Sequence, residues 1–129
     1  MIFIDAAYFI ATARVKDQWH EKAREIQDQI KNKDKLTSIF VLSEAITHIG
    51  NRSGGKKGVL FYEYVKKSME IVNPNNNIIQ NAMDKFLMYD GTLSFADVVS
   101  LEIMETQGID TIVSFDSDFD KVQGIKRIH

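Results

Sequence analysis

At 129 residues, with 44% hydrophobic and 26% charged residues, the chain has the size and composition of one globular domain covering residues 1–129. The absence of cysteine excludes disulfides, thiolate zinc sites and cysteine nucleophiles, and the lack of a long apolar run or a basic leader predicts a cytoplasmic protein. A net charge of −2 argues against a pure nucleic-acid-binding module, which is usually basic, so any attraction to phosphate must come from local patches or bound cations.

Short apolar runs without polar alternation predict strands that are covered on both faces. In chain order these strands are Ile2–Ile4, Thr37–Val41, Glu70–Val72, Thr111–Ser114 and Lys126–Ile128. Between them, apolar residues recur at the spacing of helices. The predicted helices are Trp19–Lys31, Val41–Ile49, Val59–Val65, Ile78–Met88 and Ser94–Gln107, with Gly108 as the stop of the last one.

Strands that alternate with helices predict an α/β fold with a central, mostly parallel sheet. Ligands of such sheets bind beyond the carboxyl ends of the strands. Asp5 directly follows the first strand, Glu44 lies in the first turn of the helix after the second, and Asp116 follows the fourth. Asp97 lies in the first turn of a helix that leads through a short loop into the fourth strand. This helix should therefore run antiparallel to the strand and begin at the same edge as the other acids. We therefore expect four carboxylates on one rim of the sheet.

Clustered carboxylates repel one another unless protons or a cation neutralise them. Their hard oxygen atoms suit Mg²⁺ or Mn²⁺, which keep several waters and share coordination with phosphate. Two such ions about 3.5–4 Å apart activate a water molecule and stabilise the leaving oxygen of a phosphodiester. The pattern therefore predicts metal-assisted hydrolysis of a phosphate ester.

Each acid alone also fits a structural role. Ser94-Phe95-Ala96-Asp97 matches a capping box, Asp5 can cap the helix that follows it, and Glu44 is favoured near a helix N-terminus by the helix dipole. Asp116 and Asp118 fit a turn or a cap. Their joint placement favours the functional interpretation, and the two roles are compatible because helix dipoles help to keep carboxylates ionised.

Other polar and aromatic groups give weaker indications. His48 follows Glu44 by one helical turn, but packing or solvation is the favoured explanation for it. The basic stretch Asn51–Gly58 follows a helix and lacks the spacing of a phosphate-binding loop, so it is expected to be a solvated loop rather than an RNA contact. Three aromatic residues follow this stretch, namely Phe61, Tyr62 and Tyr64. Most of them are expected to pack in the core, although one exposed ring can stack on a base.

The motifs that carry the acids occur in a recognisable order. They are Ile2-Phe3-Ile4-Asp5, Leu42-Ser43-Glu44, Leu93-Ser94-Phe95-Ala96-Asp97 and Ser114-Phe115-Asp116-Ser117-Asp118-Phe119. Each motif is short, but the ordered set resembles the PIN domain, in particular the compact VapC-like toxins of bacterial and archaeal toxin–antitoxin pairs. The resemblance covers essentially the whole chain.

This resemblance implies a three-layer α/β/α fold with a parallel sheet of about five strands. It implies an endoribonuclease that acts on single-stranded RNA, with a homodimeric assembly and a cognate antitoxin that covers the site. Carried over by position, the acids that bind Mg²⁺ or Mn²⁺ would be Asp5, Glu44, Asp97 and Asp116. Ser114 would be a polar supporter of the site, and Asp118 a supporting residue or an alternative fourth acid.

Rival enzyme families fail on particular residues. A phosphorelay receiver needs an aspartate at the end of its third strand, where this chain has Val72-Asn73-Pro74. A haloacid-dehalogenase-type phosphatase needs a second aspartate two residues after Asp5, where Ala7 stands. The remaining alternative is a non-catalytic PIN-like module that binds RNA or protein, and the intact set of acids argues against it.

Overall fold

A five-stranded, all-parallel sheet lies at the centre of the molecule, in the strand order β3-β2-β1-β4-β5. The computed structural model describes residues 1–129. The strands are β1 Ile2–Ile4, β2 Lys35–Ser38, β3 Glu70–Val72, β4 Thr111–Val113 and β5 Lys126–Ile128. The helices are α1 Ala6–Ala13, α2 His20–Ile30, α3 Ile39–Ser53, α4 Gly55–Ser68, α5 Asn76–Met88 and α6 Phe95–Gln107, and a 3-10 helix spans Ser117–Lys121.

The strand order determines which helices cover which face of the sheet. The chain moves in one direction from β1 through β2 to β3, and the connections carry α1 to α4. It then returns past β2 and β1 to reach β4, and this connection carries α5 and α6. Because parallel connections are right-handed, the reversal of direction places α5 and α6 on the opposite face. The predicted three-layer α/β/α fold is confirmed.

The second strand is the main correction to the predicted elements. It covers Lys35–Ser38 instead of Thr37–Val41, because Ile39 already begins α3. The Ser38 hydroxyl accepts a hydrogen bond of 3.3 Å from the Val41 N–H and caps that helix. A continuous apolar run has no period that separates the end of a strand from the start of a helix. Glu44 consequently lies in the second turn of α3, whereas the sequence predicted the first.

The basic stretch Asn51–Gly58 is helical, so the predicted loop is wrong. Helix α3 continues to Ser53 and α4 begins at Gly55, with only Gly54 between them. Gly54 has a φ of 94°, which other residues rarely adopt. A Cβ on Gly58 would lie 3.4 Å from the Ile46 carbonyl oxygen, so this glycine allows α4 to approach α3 closely.

The core explains why the strands read as unbroken apolar runs. All three residues of β1 are buried, and so are Leu36 of β2 and Ile112 and Val113 of β4. Since helices cover both faces of the sheet, residues of either orientation meet apolar partners. No helix combines the length and apolar character needed to cross a membrane.

Candidate functional site

The carboxyl ends of β1 and β4 meet at the centre of the sheet. In their register Phe3 pairs with Ile112 and Ile4 with Val113, so the next residues, Asp5 and Ser114, lie side by side. The Ser114 hydroxyl donates a hydrogen bond of 2.7 Å to Asp5 Oδ2. The chain leaves these adjacent strands in opposite directions, which makes this point the crevice where ligands of open parallel sheets bind.

Asp5 is a buried carboxyl group, with 8% of its surface exposed. Burial raises its pKa to about 6, against the lowering effect of hydrogen bonds from Ser114 and the Ala6 N–H; the charges of Glu44 and Asp116 raise it further. Asp5 stands at the N-terminus of α1, but beyond Ala6 its side chain makes no capping hydrogen bond to the N–H groups of the first turn. The capping explanation for this residue is therefore not supported by its geometry.

Asp97 reaches the same site from the first turn of α6. Burial raises its pKa to about 7, and the charges of Asp5 and Asp116 add to this effect while hydrogen bonds from Ser94 oppose it. The Ser94 hydroxyl also accepts a hydrogen bond of 3.1 Å from the Asp97 N–H. Ser94 and Asp97 therefore form the predicted capping box, and the Asp97 carboxylate is also close enough to the other acids to interact with them.

Asp116 is linked to Asp5 through Ser114. The Ser114 hydroxyl accepts a hydrogen bond of 3.0 Å from the Asp116 N–H, and the Asp116 side chain accepts one of 2.9 Å from the Asp118 N–H. Asp116 therefore caps the 3-10 helix, as the structural alternative for it requires. Asp118 forms an ion pair of 3.0 Å with Lys121 and is not among the charges that shift Asp5 or Asp97.

Glu44 borders the group from α3. Its side chain is exposed, and its charge reaches Asp5. His48, one turn further along α3, has a buried Nε2 atom without a hydrogen-bond partner. The structure thus brings Asp5, Asp97 and Asp116 together with Glu44 at the margin, and it leaves Asp118 to a neighbouring ion pair.

Arg127 supports the acidic site, and the sequence did not reveal this role. From β5, its guanidinium donates two hydrogen bonds of 2.9 Å to the Asp120 carboxylate and one of 3.1 Å to the Ser114 carbonyl oxygen. These contacts fix the position of the segment that carries Ser114 and Asp116. No short-range pattern connects residues 114, 120 and 127, so only the fold makes this arrangement visible.

An aromatic pair next to the acids was also missed. The rings of Trp19 and Phe115 are stacked, with centroids 5.1 Å apart and planes inclined by 8°. Phe115 lies between Ser114 and Asp116 in the chain. The only available sequence signal was this adjacency, because Trp19 is almost a hundred positions away.

Residues 2–125 match the family model described as the PIN domain. The chain belongs to the PIN-domain family. The fold of this PIN domain agrees with that match, and a comparison with curated proteins gave no match.

Solved structures share the fold of this PIN domain over nearly their full length. VapC20 from Mycobacterium tuberculosis, described as a Sarcin-Ricin loop cleaving toxin, is 24% identical with a TM-score of 0.86, and 94% of each chain is covered. The DNA-bound VapBC of Salmonella typhimurium is 14% identical with a TM-score of 0.72, covering 98% of this chain and 96% of that one. FitAcB of Neisseria gonorrhoeae is 14% identical with a TM-score of 0.68, covering 100% and 97%.

The donor set of this PIN domain fits a hard divalent cation. Its oxygen atoms come from carboxylates, and two of these acids have raised pKa values that a bound cation would lower. No three Asp, Glu or His side chains are already arranged as a set of metal ligands. A Mg²⁺ ion that keeps several waters needs only one or two direct carboxylate ligands, so the arrangement suits a hydrated ion that shares phosphate oxygens with a substrate.

Proposed function

We propose that this PIN domain is a metal-dependent endoribonuclease that hydrolyses phosphodiester bonds of single-stranded RNA. The observation that carries the proposal is the meeting of Asp5, Asp97 and Asp116 at the switch point of the sheet. Burying several acids together is unfavourable unless something neutralises them. A divalent cation that also binds phosphate gives this cluster a function.

Asp5, Asp97, Asp116 and Glu44 would hold the ions. When bound, Mg²⁺ or Mn²⁺ supplies an activated water and stabilises the leaving oxygen. Ser114 orients two of the acids at once, because its single proton is donated to Asp5 while its oxygen accepts the Asp116 N–H. Exposed Glu44 borders the cluster on the solvent side, where RNA must enter.

The test is RNA cleavage by the purified chain. Two substrates are suitable: an unstructured oligonucleotide, and a hairpin with the Sarcin-Ricin loop, the RNA that the Mycobacterium toxin is described as cleaving. We expect cleavage with Mg²⁺ or Mn²⁺, none with EDTA, and a loss of at least about 100-fold in Asp97→Asn, which removes a metal ligand.

A matched variant controls for the change of charge. Asp28→Asn removes an exposed acid of α2 and is expected to cleave like the wild type. Thermal unfolding establishes that both variants are folded. Full activity in folded Asp97→Asn would exclude the catalytic assignment, and absence of cleavage by the wild type on both RNAs would favour the non-catalytic module.

We also propose that the chain is the toxin of a type II toxin–antitoxin pair. A cleft of about 730 Å³ between α1, α2 and α4 supports a protein partner, since Leu60 and Tyr64 in its wall are 58% and 60% exposed. Exposed apolar surface of this kind is typical of protein interfaces. We propose that an apolar segment of an antitoxin occupies this cleft. Co-expression of the gene next to this one, followed by co-purification, tests for the pair.

A second copy of the chain is the proposed partner of α5. This helix exposes four large apolar side chains on its outer surface, namely Met83, Phe86, Leu87 and Met88. Their spacing of three and four residues places most of them on one face. Self-association through this face would give the homodimer that the family resemblance implies.

A further inference from the structure

We infer that Trp19 and Phe115 form a stacking platform that holds an unpaired RNA base beside the acidic site. The inference rests on the proposed function, which it extends by naming what the site recognises in its substrate. Two parallel aromatic rings, one of which is partly exposed, have a shape on which a stack of bases can continue. None of the family motifs contains Trp19.

The geometry of the pair leaves part of Trp19 accessible. The planes of the two rings are inclined by only 8°, and Trp19 keeps 42% of its surface exposed. Phe115 is half-buried and supports the indole from the protein side. An exposed indole that is held flat in this way presents a preformed surface. The protein therefore loses little conformational freedom when a base binds.

The backbone of Trp19 is anchored at both of its polar atoms. Its N–H donates a hydrogen bond of 2.9 Å to Asp17 Oδ1, and its carbonyl oxygen accepts one of 2.8 Å from the Ala23 N–H. The next residue, His20, contacts the Ala11 carbonyl oxygen through Nδ1 at 2.7 Å. The start of α2 is therefore fixed against α1.

The platform lies at the same edge of the sheet as the acids. Helix α2 ends at Ile30 and leads through a short connection into the beginning of β2, so α2 descends toward the amino ends of the strands. Its N-terminus, with Trp19, is then near their carboxyl ends. Phe115 fixes the position of the platform relative to the acids. It directly precedes Asp116 and follows Ser114, which is hydrogen-bonded to Asp5.

On the Phe115 side of the platform, the electrostatics favour a base over a phosphate as the group that is recognised. The nearest cations that follow Phe115 in the chain, Lys121 and Arg127, are paired with Asp118 and Asp120. The acids add negative charge, which repels phosphates until a metal ion binds. Stacking on an indole does not depend on charge of either sign and is available to every base.

The experiment uses the intrinsic fluorescence of Trp19, which is the only tryptophan of the chain. Asp97→Asn protein in Mg²⁺ is titrated with a ten-nucleotide single-stranded RNA and, separately, with an abasic oligomer of the same length. We expect saturable quenching by the RNA and none by the abasic oligomer, which retains the phosphates but lacks bases. Equal quenching by both oligomers, or no quenching by the RNA, would overturn the inference.

Variants of Trp19 test its contribution to affinity by the anisotropy of a labelled RNA. Loss of a base stack corresponds to a rise in Kd of about ten-fold or more, so we expect this rise in Trp19→Leu and a much smaller one in Trp19→Phe. In active protein the same change should raise KM and leave kcat within a few-fold. Val15→Ala, at an exposed apolar residue of the same loop, serves as the control with unchanged affinity.

A wild-type Kd in Trp19→Leu would exclude the platform. If Trp19→Leu does not fold, the Kd of Trp19→Phe decides. Its smaller ring retains stacking, so Trp19→Phe must bind RNA more tightly than any folded variant without a ring at this position. The fluorescence titration needs no cleavage. A chain that quenches with RNA but never cleaves it would refute the nuclease proposal and leave the platform in place.

Discussion

Asp5 and Asp97 bind a proton more tightly in the folded chain than in the unfolded one, because burial raises their pKa values from 3.8 to about 6 and about 7. The stability that this tighter binding contributes is fully present below pH 3.8 and is lost as the pH rises through the two folded values. We therefore expect the Tm of metal-free protein in EDTA to fall between about pH 4 and about pH 7. Mg²⁺ or Mn²⁺ should restore it at neutral pH. Thermal unfolding followed by circular dichroism measures both effects.

Asp5→Asn is the matched variant for this measurement. The amide oxygen can still accept the Ser114 hydroxyl, but the group carries no charge at any pH. At neutral pH without metal we expect a higher Tm than in the wild type, and a weaker fall of Tm with pH. A lower Tm in Asp5→Asn would mean that its carboxylate stabilises the fold.

The start of α6 places Asp97, so its cap is a structural determinant of the site. The Ser94 hydroxyl accepts the Asp97 N–H, and removing such a cap costs about 1 kcal/mol. We expect Ser94→Ala to lower the free energy of unfolding by about that amount in a urea titration, and to reduce RNA cleavage because Asp97 loses its restraint. Ser94→Thr keeps the hydroxyl and should retain most of both. Equal losses in the two variants would assign the effect to packing.

Local sequence patterns predicted most helices and strands, with errors where the pattern had no period. Strands β1, β3 and β5 have the predicted bounds, and α6 ends at Gly108, which has the left-handed φ of 69° that glycine tolerates. The errors at β2 and at Gly54 occurred where a strand passes directly into a helix or one helix into the next. In both places a single residue makes the boundary.

The acids were open to prediction for a different reason. Asp5 directly follows β1, Asp116 lies three residues beyond the end of β4, and the direction of α6 relates Asp97 to them, so their common edge follows from topology. Arg127 and Trp19 depend on contacts across the sheet and between distant loops. Such contacts leave no mark in the neighbouring residues, and the sequence could not reveal them.

Self-association is a property of the whole molecule, and we propose that the outer face of α5 controls it. Leu87 is 79% exposed on this face. We expect the purified chain to have twice the mass of one 14.8 kDa copy in sedimentation equilibrium, and Leu87→Glu to shift it toward the monomer, since burying an unpaired charge opposes association.

Val15→Glu is the control for Leu87→Glu, because it places the same charge at an exposed apolar residue away from α5. This variant should keep the mass of the wild type. A monomeric wild-type chain, or a Leu87→Glu variant that stays dimeric, would contradict the assignment of α5 as the interface.

Because β5 is parallel to its neighbours, the polypeptide leaves the sheet after Ile128 at the edge that carries the acids, whereas Met1 enters β1 at the opposite edge. An affinity tag fused after His129 would therefore lie on the same side of the sheet as the acidic cluster. A polyhistidine tag there would bring imidazole ligands close to the acids, where they would compete for the metal ion that is being titrated. Fusions at the amino end keep the reagent on the far side of the protein and are the sound choice for every assay of metal or RNA.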